Sequence, residues 1–258
     1  MTAIAQTSSH AQRHIRWMLR QPWFVLMSVL QPVIWLLLFG ALFQDVTMIP
    51  GFDTGGSYID YLVPGVLVMT ALFGCGWTGM SIIEDLDRSI IARFLVTPVH
   101  RSSIVAGLTV YGVVSFLVQA AMIGGLSLVL GARFEGGPVG FLALTGCAVL
   151  IGATVASFSS AMALALRQRE SVIGINSMMT LPLTFLSAAF LPLALAPEWI
   201  QTIAAVNPVN WAVEAGRELF GADPDWAFVL PRVVALLMLL VLATAFATRQ
   251  FRAYQASI

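Results

Sequence analysis

Lysine is absent from this 258-residue chain: all thirteen basic residues are arginine. That excludes nucleotide hydrolysis through a Gly-x-x-x-x-Gly-Lys-Ser/Thr loop, which needs its lysine on the nucleotide phosphates. Charge of either sign is scarce, at 10% of residues, where soluble domains carry about a quarter. Cysteine is limited to Cys75 and Cys147, both inside apolar runs, and both read as small buried hydrophobes rather than a disulfide or metal pair. The three histidines, His10, His14 and His100, sit in charged flanks. No HExxH, CxxC or nucleophile-elbow pattern occurs, so metal and covalent catalysis have no candidate. No catalytic, cofactor-binding or metal-ligating residue is expected in this chain.

What is present is apolar: 59% of residues are hydrophobic and the mean hydropathy is +0.88, which makes an all-α integral membrane protein the expected class. A hydrocarbon core of about 30 Å takes about 20 apolar residues to cross. Six spans are expected, at about 23–43, 61–83, 104–130, 139–166, 172–191 and 227–248, in a single membrane domain over 1–258. The segment 1–9 is polar, lacks the features of a signal peptide and is expected to stay in the mature protein. Residues 10–21 carry Arg13, Arg16 and Arg20 opposite Ile15, Trp17, Met18 and Leu19. That composition suits a helix lying in the interface, with a plain basic flank as the alternative. Gln31-Pro32 predicts a kink in the first span. Gly74, Gly76 and Gly79 in the second, and Ser157, Ser159 and Ser160 in the fourth, suit close helix packing. In the fifth, Asn176, Thr180, Thr184 and Ser187 should face protein or a cavity, because an unmet polar group in hydrocarbon is costly. Between the fifth and sixth, about 197–222, two short amphipathic helices break at Asn207-Pro208.

The densest charge lies between the second and third spans, with Glu84, Asp85, Asp87, Arg88, Arg93 and Arg101. Read as a helix over about 84–97, this island places Ile83, Leu86, Ile90 and Phe94 on one face, and Thr97-Pro98 stops it. Such a helix is a surface built to touch something; a solvated connector is the alternative. With the amino terminus inside, ten arginines flank the cytoplasmic ends and three, Arg133, Arg217 and Arg232, lie outside. That bias predicts cytoplasmic termini, a cytoplasmic island and an outer hairpin.

Four stretches together resemble the membrane subunit of ATP-binding-cassette exporters of the type-2 permease class, within it the daunorubicin-resistance-like drug exporters: RQPWFVLMSVLQPVIWLLLFGALF, YLVPGVLVMTALF, IIEDLDRSIIARFLVTPVHR and PEWIQTIAAVNPVNWAVEAGRELF. The resemblance covers nearly the whole chain. It implies a coupling helix docking on a separate ATPase, with Glu84, Asp85, Leu86, Asp87, Arg88, Ile90, Arg93, Phe94 and Pro98 as the contact candidates. It also implies an amino-terminal helix along the inner leaflet and an extracellular re-entrant hairpin in the outer one. Partners would be two ATPase subunits, which bind the ATP and Mg, and a second permease copy or close homologue. One departure stands in the island, where this chain has Ser89 and Ala92 in place of the glycine and second acidic residue frequent in the family.

A dimer interface lined by the first, second and fifth spans would carry the cargo, with Gln31, Asn176, Met178, Met179, Thr180 and Thr184 as candidate path residues, each also readable as helix packing. Glu214, Arg217 and Glu218 are candidates for an outer gate, with a solvated face as the alternative. A hydrophobic drug or lipid fits short outer loops, nucleic acid is not an expected partner, and all-arginine usage with abundant Ala and Gly points to a high-GC bacterium. The rival is an ion-coupled transporter without an ATPase, which needs an ionisable residue deep in a span; the carboxylates here lie in loops or at span ends.

Overall fold

The computed structural model describes residues 22–43, 57–87 and 101–256, and every regular element among them is helical. The helices are α1 (Pro22–Leu42), α2 (Tyr58–Gly76), α3 (Thr78–Asp87), α4 (Arg101–Val129), α5 (Gly137–Leu166), α6 (Arg169–Phe185), α7 (Glu198–Val206), α8 (Pro208–Phe220) and α9 (Trp226–Ala256), with a short 3-10 turn at Leu193–Leu195. The expected interfacial helix at 10–21 lies outside the described residues.

Small residues put α5 at the centre. Its buried side includes Gly140, Ala148, Gly152, Ala156, Ser157, Ser159, Ser160 and Ala163, and it packs against α2, α3, α4, α6, α8 and α9. Without a large side chain to hold helices apart, backbones approach and dispersion contacts accumulate, which drives packing where water supplies no hydrophobic force. Hydroxyls that would otherwise be stranded bond back along their own helices: Thr70 to Val66 O, Thr145 to Phe141 O and Thr154 to Leu150 O. At the periphery α9 buries only 11% of its apolar stretch within the chain, as expected of a helix whose neighbours are lipid.

Four described helical stretches are long and apolar enough to cross a membrane: Tyr58–Asp87 (α2 with α3), Thr109–Val129 in α4, Gly137–Leu166 (α5) and Trp226–Tyr254 in α9. The described chain is all-helical, with the long apolar helices of a membrane-embedded protein. Capping fixes two key starts. Ser57 and Asp60 form a reciprocal capping box at α2, and Asp60 also accepts from the Arg133 N–H at 2.7 Å, tying the α4–α5 turn to the same end. Asn207 caps α8 through the Val209 N–H, with Pro208 at the first helical position.

Two elements differ from the sequence reading. The second span is not one helix: it breaks at Trp77, and Glu84 to Asp87, expected to begin a separate coupling helix, continue α3. The fifth stops at Phe185 rather than near 191. From Leu186 onward the backbone leaves the helix, and Ala188, Ala189 and Phe190 fold back, buried against α2. Gly65 makes that approach possible, because a Cβ there would collide with the Ala189 carbonyl oxygen.

Candidate functional site

Irregular backbone buried away from water must find its hydrogen bonds from side chains. At the 186–190 segment it does. Tyr58 Oη donates to Phe190 O and Tyr61 Oη to Ala188 O, both at 3.0 Å. Asn210 Oδ1 accepts from the Ala188 N–H at 2.9 Å. Asn207 Nδ2 donates to Leu183 O and Leu186 O at 2.7 and 2.8 Å. Arg217 Nη2 donates to Ala188 O at 2.8 Å and Tyr61 O at 3.3 Å, its guanidinium carbon 3.7 Å from the centre of the Tyr61 ring. The end of α6 is thus clasped by α2 on one side and the α7–α8 hairpin on the other.

An aromatic ladder covers this clasp. Trp35 and Phe39 of α1 and Phe43 just past its end, spaced four apart, stack in series at 5.0 and 5.5 Å, and Phe39 stacks on Phe190 at 4.6 Å. Phe43 continues to Tyr58 at 5.7 Å. Sequence reasoning missed this knot. The available signals were the i, i+4, i+8 aromatics from Trp35 to Phe43 and the Tyr58–Tyr61 pair heading a helix.

The three candidate gate residues have three different partners. Arg217 points inward to the carbonyls; burial lowers its guanidinium from the ordinary value while Tyr61 and Glu214 oppose the fall, and it remains a cation. Its Nε is buried without a hydrogen-bond partner among the described residues. Glu214 pairs with Arg232 of α9 at 2.8 Å. Glu218 accepts from the Asp225 N–H at 3.1 Å, holding the turn into α9. They do not form one cluster.

The six candidate path residues divide in the same way. Asn176, Thr180 and Thr184 share the inward face of α6. Asn176 lies over Gly76 of α2, where a Cβ would come within 2.7 Å of its Oδ1. The Thr180 and Thr184 hydroxyls, like that of Ser160, are buried with no hydrogen-bond partner among the described residues. Met178 is 81% exposed beside exposed Ile175, Leu181 and Phe185 on the opposite face, Met179 is half-buried, and Gln31 is exposed on α1. One chain therefore does not bring the six together.

At the far end, α3 packs Ile82 and Ile83 into a small core with Ala161, Leu164, Val172, Ala247 and Phe251, and Leu86 packs against it. Leu86, expected on a face meeting a partner, is partly covered by its own chain. Glu84 and Asp87 are exposed, and Asp85 is buried. Asp87 lies 3.9 Å from Arg169, both well exposed, a pair that contributes little to stability. Arg88, Ile90, Arg93, Phe94 and Pro98 lie outside the described residues.

The chain is similar to known proteins over most of its length. A family model described as "ABC-2 type transporter" matches residues 5–221. The chain is 29% identical over 218 residues to the daunorubicin resistance ABC transporter permease protein DrrB1 of Streptomyces coeruleorubidus, covering 84% of this chain and 76% of that one. It is 32% identical over 214 residues to the putative transport permease ycf38 of Cyanophora paradoxa, covering 81% and 71%. With the probable doxorubicin resistance ABC transporter permease protein DrrC of Mycobacterium tuberculosis the identity is 25% over 214 residues, covering 83% and 76%. A membrane-embedded helical chain matched from residue 5 to residue 221 belongs to the ABC-2 type transporter family, as a permease.

Proposed function

We propose that this chain is the permease half of an exporter that moves a hydrophobic drug-like or lipid substrate outward, driven by ATP hydrolysis on a separate ATPase. The observation that carries the reading is the near full-length match to permeases bearing drug-resistance names. In this reading six spans form the domain, α1 and α6 completing the set, with both termini and the 84–98 segment cytoplasmic and the α7–α8 hairpin outside. Two permeases meet along α1 and α6, whose outward faces expose Met27, Leu30, Ile34, Met178, Leu181 and Phe185, and two ATPases dock beneath. Gln31 and Met178 then face the partner copy and the cargo. Asn176, Thr180 and Thr184, turned inward, come within reach of cargo only if α6 rotates, and the Thr180 and Thr184 hydroxyls, without a hydrogen-bond partner among the described residues, have no such bond to lose in that rotation. Glu84 and Asp87 are the described coupling residues available to an ATPase, whose own site would hold ATP and Mg.

The test is uptake of daunorubicin by inside-out proteoliposomes holding the chain with and without an ATPase from a homologous drug-resistance exporter. Accumulation that needs both the ATPase and ATP is expected. Accumulation by the chain alone under a proton or sodium gradient overturns the reading in favour of an ion-coupled transporter.

A further inference from the structure

The break between α2 and α3 falls inside an apolar 30-residue stretch and has no proline at it. Kinks in such helices come from proline, from glycine and serine pairs, from π-bulges or from a side chain inserted into the backbone ladder; here Gly74, Gly76 and Gly79 flank the break and two hydroxyls are inserted. Thr78 Oγ1 donates to Cys75 O at 2.7 Å, occupying the carbonyl that the Gly79 N–H would use in a continuous helix. The displaced Gly79 N–H donates instead to Ser159 Oγ of α5 at 3.2 Å, and that hydroxyl donates onward to Gly76 O at 2.6 Å. Ser159 is 3% exposed and Thr78 4%, so water does not compete. Trp77, at the break, is half exposed. A Cβ on Gly79 would come within 2.5 Å of Ser159 O and Oγ.

We propose that Ser159 is a positioning residue, the pin of a two-state joint in the second span. In the bent state Ser159 bridges Gly76 and Gly79. In the straight state the Thr78 hydroxyl turns to Gly74 O, as Thr70 bonds to Val66 O, the Gly79 N–H returns to Cys75 O, and Ser159 bonds back to its own helix as Thr154 does. Each state satisfies the same buried groups, the condition for a discrete switch rather than a soft bend. The inference rests on the permease reading for what the joint moves, namely the α3 stub that leads into 88–100 relative to the membrane half of the span. It does not rest on that reading for the joint itself.

Spin labels at Ser57→Cys and Glu84→Cys measure the bend, because both sites flank it on the same span; Val139→Cys with Leu166→Cys along α5 is the control pair. The measurement uses the full chain in lipid nanodiscs, without ATPase or cargo, so its outcome is independent of whether the chain exports anything. In the otherwise unaltered chain the 57–84 distance is expected to be shorter than the roughly 40 Å of a straight helix at 1.5 Å per residue. Ser159→Ala is expected to lengthen it toward that straight-helix value and broaden it, as the straight state gains population. Ser159→Thr, which keeps the hydroxyl, should hold the original distance, and the α5 pair should not move in any variant. A straight-helix distance in the unaltered chain overturns the proposal without any Ser159 variant. So do an unchanged distance in Ser159→Ala, a Ser159→Thr chain that behaves like Ser159→Ala, or a shift in both pairs together.

Discussion

The clasp around residues 186–190 and the α3 stub are built on opposite terms. At the clasp, five side chains, Tyr58 and Tyr61 of α2, Asn207 at the α7–α8 junction, and Asn210 and Arg217 of α8, hold backbone groups of residues 183–190 with bonds of 2.7–3.0 Å. At the stub the Asp87–Arg169 ion pair is exposed and 3.9 Å long, and Glu84 and Asp87 face outward. Polar groups turned toward the chain's own backbone fix geometry; charges left outward in a chain with only 10% charged residues are available to a second protein. One end is therefore anchored and the other is presented.

If so, substitutions at the clasp should destabilise the chain and those at the stub should not. Thermal unfolding in detergent can be followed with a thiol-reactive dye, since Cys75 and Cys147 are both buried and react only on opening. The largest effect is expected from Gly65→Ala, whose methyl would lift the 186–190 segment off α2 and cost about 3 kcal/mol or more by overpacking and lost hydrogen bonds. Asn207→Ala should follow, losing the α8 cap and the donor to two carbonyls together, at about 2–3 kcal/mol. Tyr61→Phe keeps the ring under Arg217 and removes one hydroxyl, so about 1 kcal/mol is expected, in line with single hydrogen bonds between membrane helices. Asp87→Asn should shift stability by less than about 0.5 kcal/mol. An Asp87→Asn chain less stable than Asn207→Ala would break the contrast.

Much of this was readable beforehand where the cause is local. The hairpin broke at Asn207-Pro208 because a capping side chain followed by a proline is a complete instruction in two adjacent residues. The early end of α6 was hidden, since what replaces its last turn is donors on Tyr58, Tyr61 and Arg217, distant in sequence. The break at Trp77 was hidden for the same reason, its bridging hydroxyl lying eighty residues away at Ser159. Periodicity put Ile83 and Leu86 on one apolar face but could not say what covers it, and for these two the cover is α5, α6 and α9. Arg217 was read with its acidic neighbours as a possible gate, because one sequence cannot show that a cation turns inward to carbonyls.

The contrast between the two ends is tested most directly by site-specific photocrosslinking in cells that co-express the chain with an ABC ATPase from a homologous exporter. A photoreactive phenylalanine replaces either Asp87 on the stub or Trp199 on the hairpin, both exposed. Capture of the ATPase from position 87 and none from position 199 is the expected result. Capture from 199, or none from 87 while the chain is stably inserted, would contradict it.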